Sequence, residues 1–197
     1  MKNASIKLKL TLATFPSLII LIICIIFFTV AVNNTVKQSK DIYFDGLYKA
    51  SSNLTAADRD FYQALDASKT LFNMETFSPG QLNASLRTQY TDSYNTNVSE
   101  VREKMDTVIE TAKTDETLWG AKLEDGMTFE EYADAFNTTF DEWKNIYDSN
   151  NGRMTEATFV SYNEKFDEVR GHINAMNDIL DDWAGTRSEY LSSTVNS

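Results

Sequence analysis

Three successive charged residues, Asp58-Arg59-Asp60, stand in the stretch TAADRDFYQALDAS (residues 55–68), with Tyr62 and Gln63 just after them. A guanidinium beside carboxylates suits recognition of an amino-acid-like zwitterion. Arginine can grip a carboxylate with two parallel hydrogen bonds, and an aspartate can take an amine. On this reading Asp58, Arg59, Tyr62 and Gln63 are the ligand-binding set, with Asp58 or Asp60 meeting the amine. A packing role is equally open from the residues alone, because a polar residue in a helical seam can fix register and partner choice at some cost in stability. Catalysis has little to build on. His172 is the only histidine, so the di-iron bundle pattern, which needs two Glu-x-x-His motifs, is excluded, and no nucleophile stands near it for Ser/His/Asp or Cys/His chemistry. His172 is expected on a helix surface. Neither an enzyme nor a cofactor or metal site is expected.

The charged stretch interrupts a helical pattern. Phe44, Leu47, Ser51, Leu54, Asp58, Phe61, Leu65, Ser68 and Phe72 follow one another at spacings of three and four, which is the signature of an amphipathic helix facing a core. A second stripe of mostly small residues runs beside it: Tyr43, Gly46, Ala50, Asn53, Ala57, Asp60, Ala64, Ala67, Leu71. At 100° per residue its centre lies about 110° from the first. One face can therefore enter a core while the other meets a further helix at close range. Two-fold dimers are the commonest assemblies, so the expected occupant is the same helix of a second subunit, giving a homodimer through the first helix. The alternative is that the small residues merely face solvent on an alanine-rich helix. Asp58 falls on the core seam and Asp60 on the small stripe, while Arg59 points away from both.

Three further segments carry the same spacing. Tyr94 to Ala112 gives the second helix, Phe129 to Tyr147 the third, and Phe159 to Tyr190 the fourth. Thr128 and Glu131 fit a capping box that starts the third. Breaks fall at Ser78-Pro79-Gly80, between Trp119 and Gly126, and at Ser149 to Gly152. The expected fold is all-α: an antiparallel up-down-up-down four-helix bundle with helices over about 33–75, 82–115, 128–149 and 155–196. The aromatics Phe136, Phe140, Trp143, Phe159, Phe166 and Trp183 occupy core spacings. If Asn33 lies level with about Ser197, Asp58 comes level with Arg170, His172 and Ile173, and Arg170 or His172 could pair with its carboxylate.

The uncharged run from Leu10 to Val32 precedes this bundle and is long enough to cross about 30 Å of hydrocarbon. Lys2, Lys7 and Lys9 stand before it without an acid, so residues 1–9 are expected in the cytoplasm and residues 33–197 outside the cell membrane. A cleaved signal peptide is the rival reading, against which stand the length of the run and the poor cleavage site at Val30-Ala31-Val32. A helix from Asn33 to Met74 would be roughly 63 Å long and continuous with the membrane span, so the domain is expected to be a rod. All 29 acidic residues of the chain lie after Val32. So acidic a surface repels nucleic acid, and none is expected as a partner. The single cysteine, Cys24, lies in the apolar run, so the outer domain holds no disulfide.

Taken with this architecture, Ala57-Asp58-Arg59-Asp60 followed by Tyr62-Gln63-Ala64 resembles the sensory half of bacterial methyl-accepting chemotaxis receptors with a four-helix-bundle ligand domain. The resemblance implies a dimer that binds a small extracellular solute, or a solute-loaded binding protein. It implies that binding shifts the fourth helix like a piston toward a HAMP linker and a kinase-controlling cytoplasmic hairpin. The sequence stops at Ser197, where that family's second membrane helix would begin, and is read as a receptor fragment, a truncated gene, or an anchored bundle acting alone. Two other readings stand beside the chemoreceptor: a sensor for a histidine kinase or nucleotide cyclase, since similar bundles are grafted on several outputs, and a structural or adhesive rod without ligand.

Overall fold

A computed structural model describes residues 6–40, 46–124 and 126–195, and among these the chain is helical with no strand. It divides into two units, residues 1–45 and 46–197.

The first unit holds α1, Ile6–Lys40, a helix that includes Pro16. Within it Phe15–Lys37 has a mean hydropathy of 2.9, and this helix is long and apolar enough to cross a membrane. Its large side chains, Ile20, Phe27 and Phe28 among them, are exposed. In water that would be costly, at about 25 cal/mol per Å² of apolar surface. Continuity between this helix and the next, expected from the spacing, falls on residues 41–45 and so lies outside the described residues, as do Tyr43 and Phe44 of the two stripes.

The second unit contains α2 (Lys49–Phe77), a 3-10 turn at Pro79–Gln81, α3 (Ala84–Lys113), the single turn α4 (Glu116–Trp119), α5 (Phe129–Ser149) and α6 (Glu156–Val195). The ends follow local chemistry. Asn83 caps α3 by accepting from the Leu86 amide at 2.9 Å. Thr128 and Glu131 close a reciprocal capping box on α5, as their spacing predicts. The α5–α6 turn needs a glycine. Gly152 has φ +70°, and a Cβ there would sit 2.8 Å from the Tyr147 hydroxyl oxygen.

Helix α2 packs most closely with α3 and α5 with α6, and α2 also meets α6. All four long helices of the unit send a ring into one cluster. Phe61 of α2 lies 4.6 Å from Trp143 of α5 and 4.3 Å from Phe166 of α6, centroid to centroid, and Tyr94 of α3 lies 5.7 Å from Trp143. Such aromatic pairs add about 0.5–1.5 kcal/mol each beyond burial. Phe136, Phe140, Trp143, Phe166 and Trp183 are buried, as their spacing predicts, and Phe159 stacks on Phe72 at 4.1 Å. On the polar side, Arg102 of α3 donates to Asn137 of α5 at 2.8 Å, pairs with Asp141, and lies over the Phe140 ring.

The small stripe has a different neighbour from the one expected. Ala50, Ala57, Asp60, Ala64, Ala67 and Leu71 are all buried inside this single chain, on the side where α2 and α3 pack. Alanines let two backbones approach closely, and here the approaching backbone is α3. The seam read as a surface for a second subunit is an intrachain seam, so the small stripe does not support a dimer.

Candidate functional site

The central turns of α2 carry the three successive charges Asp58, Arg59 and Asp60, and the helix splits them between its sides. Asp58 faces α6. Its carboxylate accepts from Arg170 Nε at 2.8 Å and from Nη2 at 3.4 Å, and both side chains are half-buried. The same guanidinium lies 4.3 Å from the Tyr62 ring centroid, a cation–π contact that fixes its plane. Tyr62 in turn meets Phe166 edge-on at 5.3 Å. The Asp58 carboxylate raises the pKa of Arg170 above its ordinary value by accepting its hydrogen bonds.

Asp60 faces α3 and is 1 % exposed. Two cations answer it. Lys104 of α3 bonds one carboxylate oxygen, and Arg59 donates to the other from Nε at 2.9 Å and from Nη2 at 2.8 Å. Burial by itself pushes the Asp60 carboxyl up. The hydrogen bonds and charges of Lys104 and Arg59 outweigh it and hold the group below its ordinary value. Lys104 also reaches Glu100 at 3.3 Å.

Arg59 thus lies along the helix surface, its side chain 62 % exposed. Tyr62 and Gln63 are exposed as well. The four predicted site residues do not line one notch. Arg59 borders a cleft of about 410 Å³ with Tyr48, Ser51, Ser52 and Thr55. Asp58 borders another of about 230 Å³ with Leu54, Thr55, Asn174, Asn177 and Asp178. Gln63 lines a third, about 170 Å³, toward Tyr90, Ser93 and Asn97 of α3. The reason is angular: Asp58, Arg59 and Gln63 project in different directions from one helix. Thr55 belongs to both of the first two clefts, so a basic, hydroxyl-lined hollow adjoins an acidic, amide-lined one.

The sequence makes Asp58 and Asp60 each available to a ligand amine, whereas in the structure both are engaged by the chain's own cations. The free acid is Asp178, exposed on α6 and without an ion pair among the described residues. Sequence reasoning reaches Arg170 by levelling the helices, but misses Lys104, Asp178, Asn174 and Asn177. Arg170 can be placed because the first and fourth helices match end to end. No such match levels the second helix, which leaves Lys104 without a height. His172, expected on the surface, is half-buried beside the Tyr132 ring, and burial lowers its pKa below the ordinary value.

Compared with known proteins, the chain matches no family model, no curated protein and no solved structure.

Proposed function

We propose that the chain is the extracellular ligand-sensing part of a membrane-anchored signal transducer, built as an antiparallel up-down-up-down four-helix bundle, that binds an amino-acid-like zwitterion on the outer face of α2. One observation carries the reading: two clefts of opposite polarity meet at Thr55. A carboxylate would lie against Arg59 with the Ser52 and Thr55 hydroxyls nearby. The ammonium would lie against Asp178 and the Asn174 and Asn177 side-chain oxygens. Asp58 and Asp60 hold the helix in place and do not bind the solute. The role is that of a chemoreceptor's sensory half, with α1 as its anchor and the N-terminus inside. The output follows that family's route, with a histidine kinase or nucleotide cyclase as the alternative.

The position of the clefts supports a sensor. Asp58 ties α2 to α6 and Asp60 ties it to α3, so a solute spanning α2 and α6 acts on the pair of helices whose relative height a transducer would read. A homodimer through the first helix belongs to this reading, on another face. Tyr48, Ser52, Thr55, Arg59, Tyr62 and Asp66 recur at intervals of three and four along the exposed side of α2, and a second copy there would cover the open clefts.

A structural rod without ligand is the second reading, favoured by the pairing of Asp58 and Asp60 within the chain. Calorimetric titration of the full chain in nanodiscs with a panel of free L-amino acids separates the two. The sensor binds at least one of them saturably, and Arg59→Ala weakens that binding about tenfold, or 1.4 kcal/mol. Absence of saturable binding across the panel leaves the rod.

A further inference from the structure

The connector from α3 to α5 packs α4 near α6 and leaves a cleft of about 410 Å³, lined by Thr117, Lys122, Ile179, Asp182, Trp183 and Arg187 among others. We propose that this cleft is a second binding site, selective for a small monocarboxylate with an apolar body. It goes beyond the zwitterion reading and shares no residue with it.

The cleft's wall is held by a chain of hydrogen bonds. The Asp115 carboxylate caps α4, accepting from the Thr117 amide at 2.8 Å and the Leu118 amide at 3.2 Å. It also accepts from the Thr117 hydroxyl at 2.5 Å. That hydroxyl oxygen accepts from Trp183 Nε1 at 3.0 Å and from Arg187 Nη2 at 3.2 Å. The Trp183 ring is therefore locked with its one donor in use, and what it offers a ligand is apolar surface. Ile179 also lines the cleft but is only 2 % exposed. Burial by itself pushes the Asp115 carboxyl up, but Thr117, the α4 amides and Arg187 outweigh it and hold the group below its ordinary value, so it stays an anion and keeps the wall in place.

Arg187 is the polar end. Its contacts to Asp115, 3.3 Å, and to Thr117, 3.2 Å, both leave from Nη2, and both are longer than the ~2.7–2.9 Å of a strong charge-assisted bond. The N–H groups on Nε and Nη1 have no acceptor among the described residues. Lys122, which also lines the cleft and is exposed, has no ion pair among the described residues. Lys122, without an ion pair, and Arg187, paired with Asp115 and lying over the Trp183 ring, line the same cleft as that indole, which is a layout that receives one carboxylate attached to a hydrocarbon. Asp182 on the rim repels a second negative charge and so disfavours phosphate and dicarboxylates. The volume lies within the range of small-molecule sites.

Hexanoate is the probe, with hexanamide as its uncharged counterpart, titrated calorimetrically into the full chain in nanodiscs after subtraction of empty discs. Hexanoate should give a saturable isotherm and hexanamide none. Arg187→Gln should weaken hexanoate about tenfold, and Lys122→Gln should weaken it by a smaller factor. Circular dichroism reports whether each variant folds. Should Arg187→Gln not fold, the exposed Lys122→Gln decides. The proposal is overturned by no saturable hexanoate binding, by equal binding of hexanamide, or by full affinity in the folded Arg187→Gln and Lys122→Gln chains.

Discussion

Asp58 and Asp60 are the same residue type, two positions apart on one helix, and they live in different electrostatic worlds. Asp58 keeps contact with water and is served by one arginine, Arg170, which is itself half-buried and backed by the Tyr62 ring. Asp60 is shut away and is served by two cations, one from its own helix and one from α3. Burying a carboxylate costs several kcal/mol, and that cost falls only as hydrogen bonds and opposite charges replace water. The deeper acid therefore needs more partners. The half-exposed one manages with a single partner, and its surroundings remain open enough to form a cleft. The contrast separates a buried charge that needs two partners from a half-exposed one that pins its helix with a single partner.

The largest effect should come from the buried side. Asp60→Ala leaves Lys104 in the α2–α3 seam with only its longer contact to Glu100 and should cost about 3 kcal/mol in denaturant unfolding. Pairing Asp60→Leu with Lys104→Met should recover most of that loss, since an apolar pair of similar volume removes both desolvation penalties. If Asp60→Ala unfolds at the wild-type denaturant concentration, the buried pair is not what joins α2 to α3. Next in size, Ala57→Leu pushes a larger side chain into the α2–α3 seam and should cost about 1–3 kcal/mol. Ala56→Leu, on the neighbouring half-buried position that lines the Arg59 cleft, should cost under about 0.5 kcal/mol. Equal costs would mean that the small stripe is not buried against α3.

Smaller still is the Asp58–Arg170 pair. A double-mutant cycle with Asp58→Asn and Arg170→Gln should return a coupling of about 1 kcal/mol, discounted for solvent screening because both groups are partly exposed. A coupling near zero would make this contact ornamental. Acid titration sharpens the contrast further. The Asp60 carboxyl is held below its ordinary value in the folded chain, so its contribution is complete above the unfolded value of about 3.9 and is lost as pH falls through the folded value. Unfolding followed below pH ~4 should show a loss of stability that Asp60→Asn lacks.

How far the residues foretell this arrangement depends on which neighbour a residue needs. Capping chemistry at Thr128 and Glu131 and the aromatic spacing around Trp143 are local, and both appear as expected. The Asp58–Arg170 pair emerges from levelling the first and fourth helices end to end. Asp60 is harder, because small residues announce close approach without saying which helix approaches. Nothing in the spacing sets the second helix beside the first, so the alanine stripe reads as a surface for a second subunit and Lys104 goes unseen. The cleft at Trp183 and Arg187 rests on α4, one turn inside a segment rich in turn signals. A single turn is too short to leave a periodic trace in sequence.

Differential scanning calorimetry of the full chain, with and without a saturating amino acid that the wild type binds, tests the central assignment most directly, because one scan pair reports both stability and binding. Asp58→Asn should melt about 2–4 °C earlier without solute yet keep the solute-induced upward shift of the wild type. Arg59→Ala should also melt somewhat earlier, because it takes one of two cations from the buried Asp60, but it should lose most of that solute-induced shift. The reverse pattern, in which Asp58→Asn melts at or above the wild-type temperature and loses the shift while Arg59→Ala retains it, would place the solute on Asp58 and contradict the division between pinning carboxylates and binding arginine.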